Sequence, residues 1–146
     1  MSFLPQAHFD TLPTELAAAR DALVPFIGER AVTLFAYAIA DEANTLVTSA
    51  FFRRILVDSG EDPQHPQVTE AEQLLIDWGR LIAHVPYVVG EDFTQRLEAA
   101  FSEPVRERLV TFASQVVAAN TYTTIARMPL DESLHPYRSA GDDRTI

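Results

Sequence analysis

The segment from residue 91 to residue 129 places the strongest constraint on the fold of this chain. It reads EDFTQRLEAAFSEPVRERLVTFASQVVAANTYTTIARMP. Its first ten residues have the pattern of a short helix, and Ser102 then begins a long helix, since serine is a preferred N-cap and Pro104 is tolerated in a first turn. Asn120 falls within the apolar face of the long helix. The apolar residues predicted to be buried there are Val105, Leu109, Phe112, Val116, Val117 and Ile125.

The first half of the chain also has helical spacing of apolar residues, and no convincing two-residue alternation of a strand is found. A first helix is predicted from Thr14 to about Val24, where Pro25 stops it. A second helix is predicted from about Gly28 to Val57. Because it is apolar on nearly all sides, we expect it to be central in a bundle or covered by a partner subunit.

A third helix is predicted to begin at Thr69, where Glu72 completes a capping box, and to end near His84. The predicted fold is therefore all-α, a single-domain helical bundle of about five to six helices. Its ordered core is expected to span about residues 13–129, followed by a polar tail at 130–146 whose last residues fray.

The charge balance limits the partners that this chain is expected to have. Its 146 residues include 21 acidic and 11 basic side chains, a formal net charge of -10. Nucleic acid and anionic membrane surfaces would repel such a chain. The sequence also lacks a secretory signal pattern and the roughly 20-residue apolar run that spans a bilayer. We therefore expect a cytoplasmic protein with no nucleic-acid or membrane partner.

The sequence has no cysteine. Disulfides, thiolate catalysis and thiolate metal ligands are therefore excluded. The four histidines lack the paired spacing of a metal site, and there is neither a phosphate loop nor a dinucleotide fingerprint. We expect no metal and no cofactor.

The order of helices and the sequence of residues 75–129 resemble the carboxymuconolactone decarboxylase and alkylhydroperoxidase D-like family. In that family a Pro-containing loop leads to a short helix, a Phe-Ser or Leu-Ser corner and a long helix with an Asn near its end. Asn120 matches the first Asn of the family pattern, and Thr123 stands where a second Asn is expected. The resemblance implies an alkylhydroperoxidase D-like fold and a homo-oligomer, whether dimer, trimer or hexamer.

The peroxidase members of that family resemble one another in a Cys-x-x-Cys pair and a His on the second helix. An ungapped match from Glu29 places Ala43 and Leu46 at the cysteine positions and Ala50 at the histidine. Thiol peroxidase chemistry needs a thiolate and a resolving thiol, so this chain cannot perform it. The resemblance thus implies a diverged member that binds a small apolar ligand instead.

The polar middle of the predicted second helix is the candidate site. Tyr37, Asp41, Asn44 and Thr48 recur at helical spacing and would share one face. The candidate ligand-binding residues are Tyr37, Asn44, Thr45, Thr48 and Asn120. The candidate catalytic residues are Asp41, Glu42 and His84. A purely structural alternative pairs the carboxylates with Arg53, Arg54 or Arg127, or places them at a subunit interface, and makes His84 a helix cap.

Three functions follow from these patterns. The first is a ligand-binding protein of the family without thiol chemistry. The second is a thiol-independent decarboxylase, isomerase or hydrolase in which Asp41 or Glu42 is the general acid or base. The third is an acidic helical module that binds a basic partner.

Overall fold

The computed structural model describes residues 12–84 and 89–138. These residues form six α-helices and one 3-10 helix and contain no strand. The helices are α1 (Thr14–Ile27), α2 (Glu29–Glu42), α3 (Leu46–Asp58), α4 (Glu70–Ile82), α5 (Glu91–Ala100), α6 (Glu103–Ile125) and the 3-10 helix (Glu132–Tyr137). The prediction of an all-α single domain is confirmed. No helix in the described residues is both long enough and apolar enough to cross a membrane.

Helix α2 is the centre of the bundle. Its residues 31–40 are all buried, and the helix packs against α1, α3, α4 and α6. Phe35 is fully buried, with its ring centroid 5.6 Å from that of Trp78 in α4 and 6.3 Å from that of Phe112 in α6. The all-round apolar character of this part of the sequence is therefore satisfied within one chain.

The prediction of one continuous helix from Gly28 to Val57 is wrong. The chain leaves helical geometry at residues 43–45, where Asn44 has a φ of 60°. Asparagine adopts this left-handed conformation more readily than most residues, so it can reverse the chain where an apolar residue would not. Asn44 and Thr45 thus lie at a corner between α2 and α3, and Asp41 and Glu42 end α2, so these polar residues do not form a stripe along one helix.

Helix α1 continues past Pro25 to Ile27, beyond the predicted end. A proline lacks the amide proton that would bond to the carbonyl four residues earlier, here that of Asp21. Asp21 is an exposed residue, so water can bind its free carbonyl. Gly28, with a φ of 89°, ends the helix and donates its amide to the Val24 carbonyl.

The limits of the remaining helices agree closely with those predicted from the sequence. The capping box of Thr69 and Glu72 is present at the start of α4. Helix α5 has the predicted limits, and Ser102 is the N-cap of α6, although its side chain makes no capping bond. Within α6, Ile125 is 69% exposed rather than buried, and Val105 and Val117 are only partly buried.

The 3-10 helix lies in the segment that the sequence analysis placed in a polar tail. It packs against α3, with Leu134 fully buried and the Tyr137 hydroxyl donating to Asp58 Oδ1 at 2.9 Å. Residues 141–146, predicted to fray, lie outside the described residues.

Candidate functional site

The corner between α2 and α3 meets α6 at a buried cluster of polar side chains. Thr48 is fully buried and donates to Asn120 Oδ1. Thr45 Oγ1 lies 2.7 Å from Thr48 Oγ1, 3.1 Å from Asn120 Oδ1 and 2.9 Å from the Ala40 carbonyl oxygen. The Asn120 amide is therefore held by a neighbouring helix, as its position in an apolar face predicts. We call Thr45, Thr48 and Asn120 the polar cluster.

The amide nitrogen of Asn120 is the open end of the polar cluster. Both cluster hydroxyls contact the amide oxygen, and no acceptor among the described residues lies within hydrogen-bonding distance of Nδ2. Among the described residues, every fully buried side-chain nitrogen or oxygen has a hydrogen-bond partner. Nδ2 must therefore keep some contact with solvent, although Asn120 is only 5% exposed. It is a donor with unused capacity.

A groove of about 340 Å³ lies directly beside this donor. It runs between α6, the α2–α3 corner and the end of α4. Its polar floor contains Thr45 and Asn120, and its walls are largely apolar or small. The residues that line it are Ala43, Thr45, Ile82, Ala83, Val117, Asn120, Thr121, Thr124 and Ile125. An apolar concavity with a few convergent polar groups is the usual form of a small-molecule site.

The other candidates from α2 lie at a separate, smaller cavity. Tyr37, Asp41 and Glu42 line a space of about 70 Å³ between α2, α4 and residues 63–66. This volume holds about two water molecules. The prediction that Tyr37 and Asp41 share a face with Asn44 and Thr48 is wrong, because the break at residues 43–45 turns α3 away from the axis of α2.

The arginines predicted to neutralise the carboxylates have other contacts. Arg53 donates to the Tyr37 hydroxyl at 3.0 Å, and the guanidinium of Arg54 lies 5.1 Å from the ring centroid of Phe51. Arg127 is exposed in a left-handed turn after α6. The alternative that places the carboxylates at a subunit interface stays a prediction.

Glu42 instead contacts His84. Its Oε2 lies 2.9 Å from His84 Nε2, and both side chains are substantially exposed. The contact joins the end of α2 to the turn after α4. Both residues neighbour groove residues in sequence, Ala43 and Ala83. Glu42 itself lines the smaller cavity, and neither side chain belongs to the groove lining.

Several groove residues escaped the sequence analysis. Ile82, Ala83, Thr121 and Thr124 line the groove, yet each looks like an ordinary helix or helix-end residue. The exposure of Ile125 could have been recognised, because it breaks the buried stripe near the helix end. The approach of α4 could not, because it depends on the tertiary packing of α2 and α4.

No group of three or more His, Asp or Glu side chains within residues 12–84 and 89–138 is arranged to hold a metal ion. The side chains that line the groove offer hydrogen bonds, from Thr45 and Asn120 among others, and apolar contact.

Comparison with known proteins adds no assignment. No protein-family model matches the sequence, and no curated protein or solved structure matches it significantly. The resemblance to the carboxymuconolactone decarboxylase and alkylhydroperoxidase D-like family, with the homo-oligomer that it implies, therefore stays a prediction, as does the cytoplasmic location.

Proposed function

We propose that this protein binds a small, largely apolar molecule in the groove beside the polar cluster. The observation that carries the proposal is the Asn120 amide nitrogen, a donor at the floor of a 340 Å³ groove that bonds to no acceptor among the described residues. This donor has unused capacity that an acceptor on a ligand would fill.

The groove suggests the chemistry of the ligand. Ile82, Val117 and Ile125 offer apolar contact, while Asn120 Nδ2 offers a hydrogen bond to an acceptor. A carbonyl, ether or ester oxygen on a hydrocarbon body would satisfy both. None of the described residues that line the groove is Arg or Lys, so a neutral acceptor suits it better than a phosphate.

The proposal includes a lineage. The chain would be a diverged carboxymuconolactone decarboxylase-like or alkylhydroperoxidase D-like protein that kept a helical scaffold and lost thiol chemistry. Of the positions matched to the family's cysteines, Ala43 lies in the break between α2 and α3, and Leu46 is the first residue of α3. Ala43 also lines the groove. This supports a ligand site where the family's peroxidases would react.

The experiment is a screen of small neutral carbonyl and ether compounds by amide chemical-shift changes. Binding in the groove should shift the resonances of Thr45, Asn120 and Thr124. Asn120→Asp should abolish binding, because it replaces the donor by a carboxylate. Thr121→Trp should also abolish it, because the indole fills the groove.

The matched control is Ala99→Trp, which fills a different groove of about 500 Å³ between α4 and α5. It should leave binding unchanged. Shifts that cluster at Ala99, or binding that survives Thr121→Trp, would reject the groove as the site.

Acid–base catalysis is a second candidate, favoured by the Glu42–His84 contact at 2.9 Å. A carboxylate that orients an imidazole is a common arrangement for proton transfer. If a turnover is found with any groove ligand, Glu42→Gln and His84→Gln should each remove it without weakening ligand binding. Equal rates in these variants would eliminate this function.

A further inference from the structure

The cavity of about 70 Å³ beside Tyr37 is covered by the loop between α3 and α4. Its floor is apolar, formed by the buried side chains of Leu34, Ala38 and Ile76. Pro63, Gln64 and Pro66 of the loop cover its third side. We call residues 62–67 the lid, because they separate this cavity from solvent.

The Tyr37 hydroxyl is an open donor beneath the lid. Tyr37 is 6% exposed, and its hydroxyl oxygen accepts from Arg53 Nη1 at 3.0 Å and from Gln64 Nε2 at 3.4 Å. A phenol can donate its own proton as well as accept. No acceptor among the described residues lies within hydrogen-bonding distance of it. An acceptor atom inside the cavity would take this proton.

The charged groups around the cavity favour a neutral ligand. Two carboxylates, those of Asp41 and Glu42, and the guanidinium of Arg80 line it. An anion would meet the two carboxylates. A cation would meet Arg80, and an ammonium or guanidinium group could not accept the Tyr37 proton. A neutral molecule that both accepts and donates hydrogen bonds suits all of these groups.

We propose that this cavity is a second binding site, which takes a small neutral amide or urea. The carbonyl oxygen of the ligand accepts from the Tyr37 hydroxyl, and its N–H groups donate to the carboxylate of Asp41 or Glu42. The volume limits the ligand to about three or four non-hydrogen atoms, since one water occupies about 30 Å³ in the liquid. Formamide and urea have this size, whereas the larger ligand proposed for the groove does not fit.

One guanidinium holds the lid at both ends. Arg30 in α2 donates to the two carboxylate oxygens of Glu61, at 3.1 and 3.0 Å, just before the lid begins. It also donates to the carbonyl of Gln67, where the lid ends. A further bond to Glu72 ties the same side chain to α4. Arg30 therefore fastens the lid across α2 and α4.

Few other contacts fasten the lid. Among the described residues, the lid forms hydrogen bonds with the helices only through the Gln67 carbonyl and the Gln64 side chain. Pro63 and Pro66 are only partly buried and have no amide proton to donate. Segments with few buried contacts open locally at a lower free energy than the core. The ligand therefore enters when the bonds of Arg30 break and the lid opens.

The first test is a titration of the full chain with formamide, followed by amide chemical shifts. The resonances of Tyr37, Asp41 and Gln64 should move, with a dissociation constant on the order of 1 mM for so small a ligand. Tyr37→Phe should weaken binding about three- to tenfold, because it keeps the ring and removes one donor. Tyr122→Phe is the matched control, since Tyr122 is 55% exposed on α6. Unmoved resonances, or equal affinities in both variants, would refute the site.

The second test needs no variant, because charge can be changed in the ligand. Formate has as many non-hydrogen atoms as formamide, and guanidinium has as many as urea. Both ions should bind more weakly than their neutral counterparts. If guanidinium binds more tightly than urea, or formate more tightly than formamide, the cavity selects charge and the assignment to neutral amides is wrong.

The third test measures opening of the lid with an introduced thiol, since the chain has no cysteine. Ala38 lines the cavity and is 6% exposed, so methyl methanethiosulfonate should modify Ala38→Cys when the lid opens. Adding Arg30→Gln should raise the rate of modification about tenfold or more, because it removes charge-assisted bonds. Adding Arg20→Gln, which does not touch the lid, should leave the rate unchanged.

Ala36→Cys controls for unfolding of the whole protein. Ala36 is 0% exposed in the same helix and lines neither the cavity nor the groove, so its thiol reacts only when the protein unfolds. Arg30→Gln should accelerate modification at residue 38 more than at residue 36. Equal acceleration at both positions would overturn the lid as the entrance.

Formamide binding is independent of the function proposed for the groove. Thr121→Trp fills the groove and should leave the dissociation constant of formamide unchanged, because Thr121 does not line the cavity. Loss of formamide binding in this variant would contradict a separate site under the lid. A protein that binds formamide and no groove ligand would reject the proposed function and leave this second site standing.

Discussion

Thr48 in α3 donates a hydrogen bond to the side-chain oxygen of Asn120 in α6, although 72 residues separate them in sequence. Both residues are almost completely buried, at 0% and 5% exposure. A bond in such surroundings fixes the distance and rotation between two helices, because a shift of either helix would leave a buried polar atom without a partner. The polar cluster thus aligns the groove as well as lining it.

We predict that Thr48→Val will lower the free energy of unfolding by about 1–3 kcal/mol, since it leaves the Asn120 oxygen with Thr45 as its remaining donor. The substitution preserves shape and removes only the hydroxyl. Urea denaturation followed by circular dichroism measures the change.

Thr33→Val is the matched control. Thr33 is 3% exposed, and its hydroxyl donates to the Glu29 carbonyl of the same helix at 2.9 Å. Because this bond links no two helices, we expect a smaller loss than for Thr48→Val. If both variants lose the same free energy of unfolding, the bond between the two helices contributes no more than a bond within one helix.

The helical fold could be predicted from the sequence because its signals are local. The capping box at Thr69 and the start of α6 at Ser102 depend on neighbouring residues and are where the sequence predicts them. The break at Asn44 could not be predicted in the same way, because the flanking residues all tolerate a helix. It is stabilised by tertiary contacts, including the bond between Thr45 and Asn120.

The candidate site was predictable only in part for the same reason. Thr45, Thr48 and Asn120 were recognisable as polar residues in apolar surroundings, and the structure brings them together. Tyr37 and Asp41 are also polar residues in an apolar helix, yet they line another cavity. The corner separates them from the residues of α3. Residue spacing predicts which side chains share a face only within one helix, because a break changes the direction of the chain.

Arg30 should make the stability of the protein depend on pH. It donates to both carboxylate oxygens of Glu61, at 3.1 and 3.0 Å, and to Glu72, joining α2 to the loop and to α4. The hydrogen bond from Arg30 lowers the pKa of Glu61. Burial alone would raise the pKa of Glu72, but the bonds from the Thr69 amide and from Arg30 outweigh it and lower it.

Because the pKa values of these carboxylates are lowered in the folded protein, they stabilise it at pH values above 4.5, their ordinary pKa. This stabilisation is lost as the pH falls through the pKa values of the folded state. Arg30→Gln should therefore be less stable than wild type at neutral pH, and the difference should shrink below about pH 4.5. Denaturation midpoints measured from pH 7 to pH 3 test this.

The control is Arg20→Gln, which removes a contact of 3.1 Å with Glu29, whose side chain is 72% exposed. Exposed pairs contribute little, so its stability should follow wild type at every pH. A pH-independent loss in Arg30→Gln would show that the guanidinium acts only by packing.

Leu134 should contribute to stability although it lies in a segment of polar sequence. It is fully buried where the 3-10 helix packs on α3. Leu134→Ala should cost about 2–5 kcal/mol, the usual range for truncating a buried leucine. Leu130→Ala, at a partly buried position, should cost less. Thermal unfolding compares them, and an unaffected Leu134→Ala would mean that the 3-10 helix does not belong to the cooperative unit.

Gly79 is required by the close approach of α4 to α2. A β-carbon at this position would lie 2.9 Å from the Ala38 β-carbon and 3.1 Å from the Phe35 carbonyl oxygen. Alanine normally favours a helix by about 1 kcal/mol over glycine. We nevertheless expect Gly79→Ala to destabilise the protein by about 1–3 kcal/mol, because overpacking must move backbone as well as side chains.

The double variant Gly79→Ala with Ala38→Gly isolates the steric cause, since it removes the β-carbon at 2.9 Å. In a double-mutant cycle measured by urea denaturation, the two substitutions should couple favourably, so that the pair loses less stability than the sum of the single changes. Recovery should be partial, because the Phe35 carbonyl remains 3.1 Å away. If the changes in the free energy of unfolding are strictly additive, the Ala38 β-carbon moves aside at no energetic cost. The contact with the Phe35 carbonyl oxygen alone would then set the separation of α2 and α4.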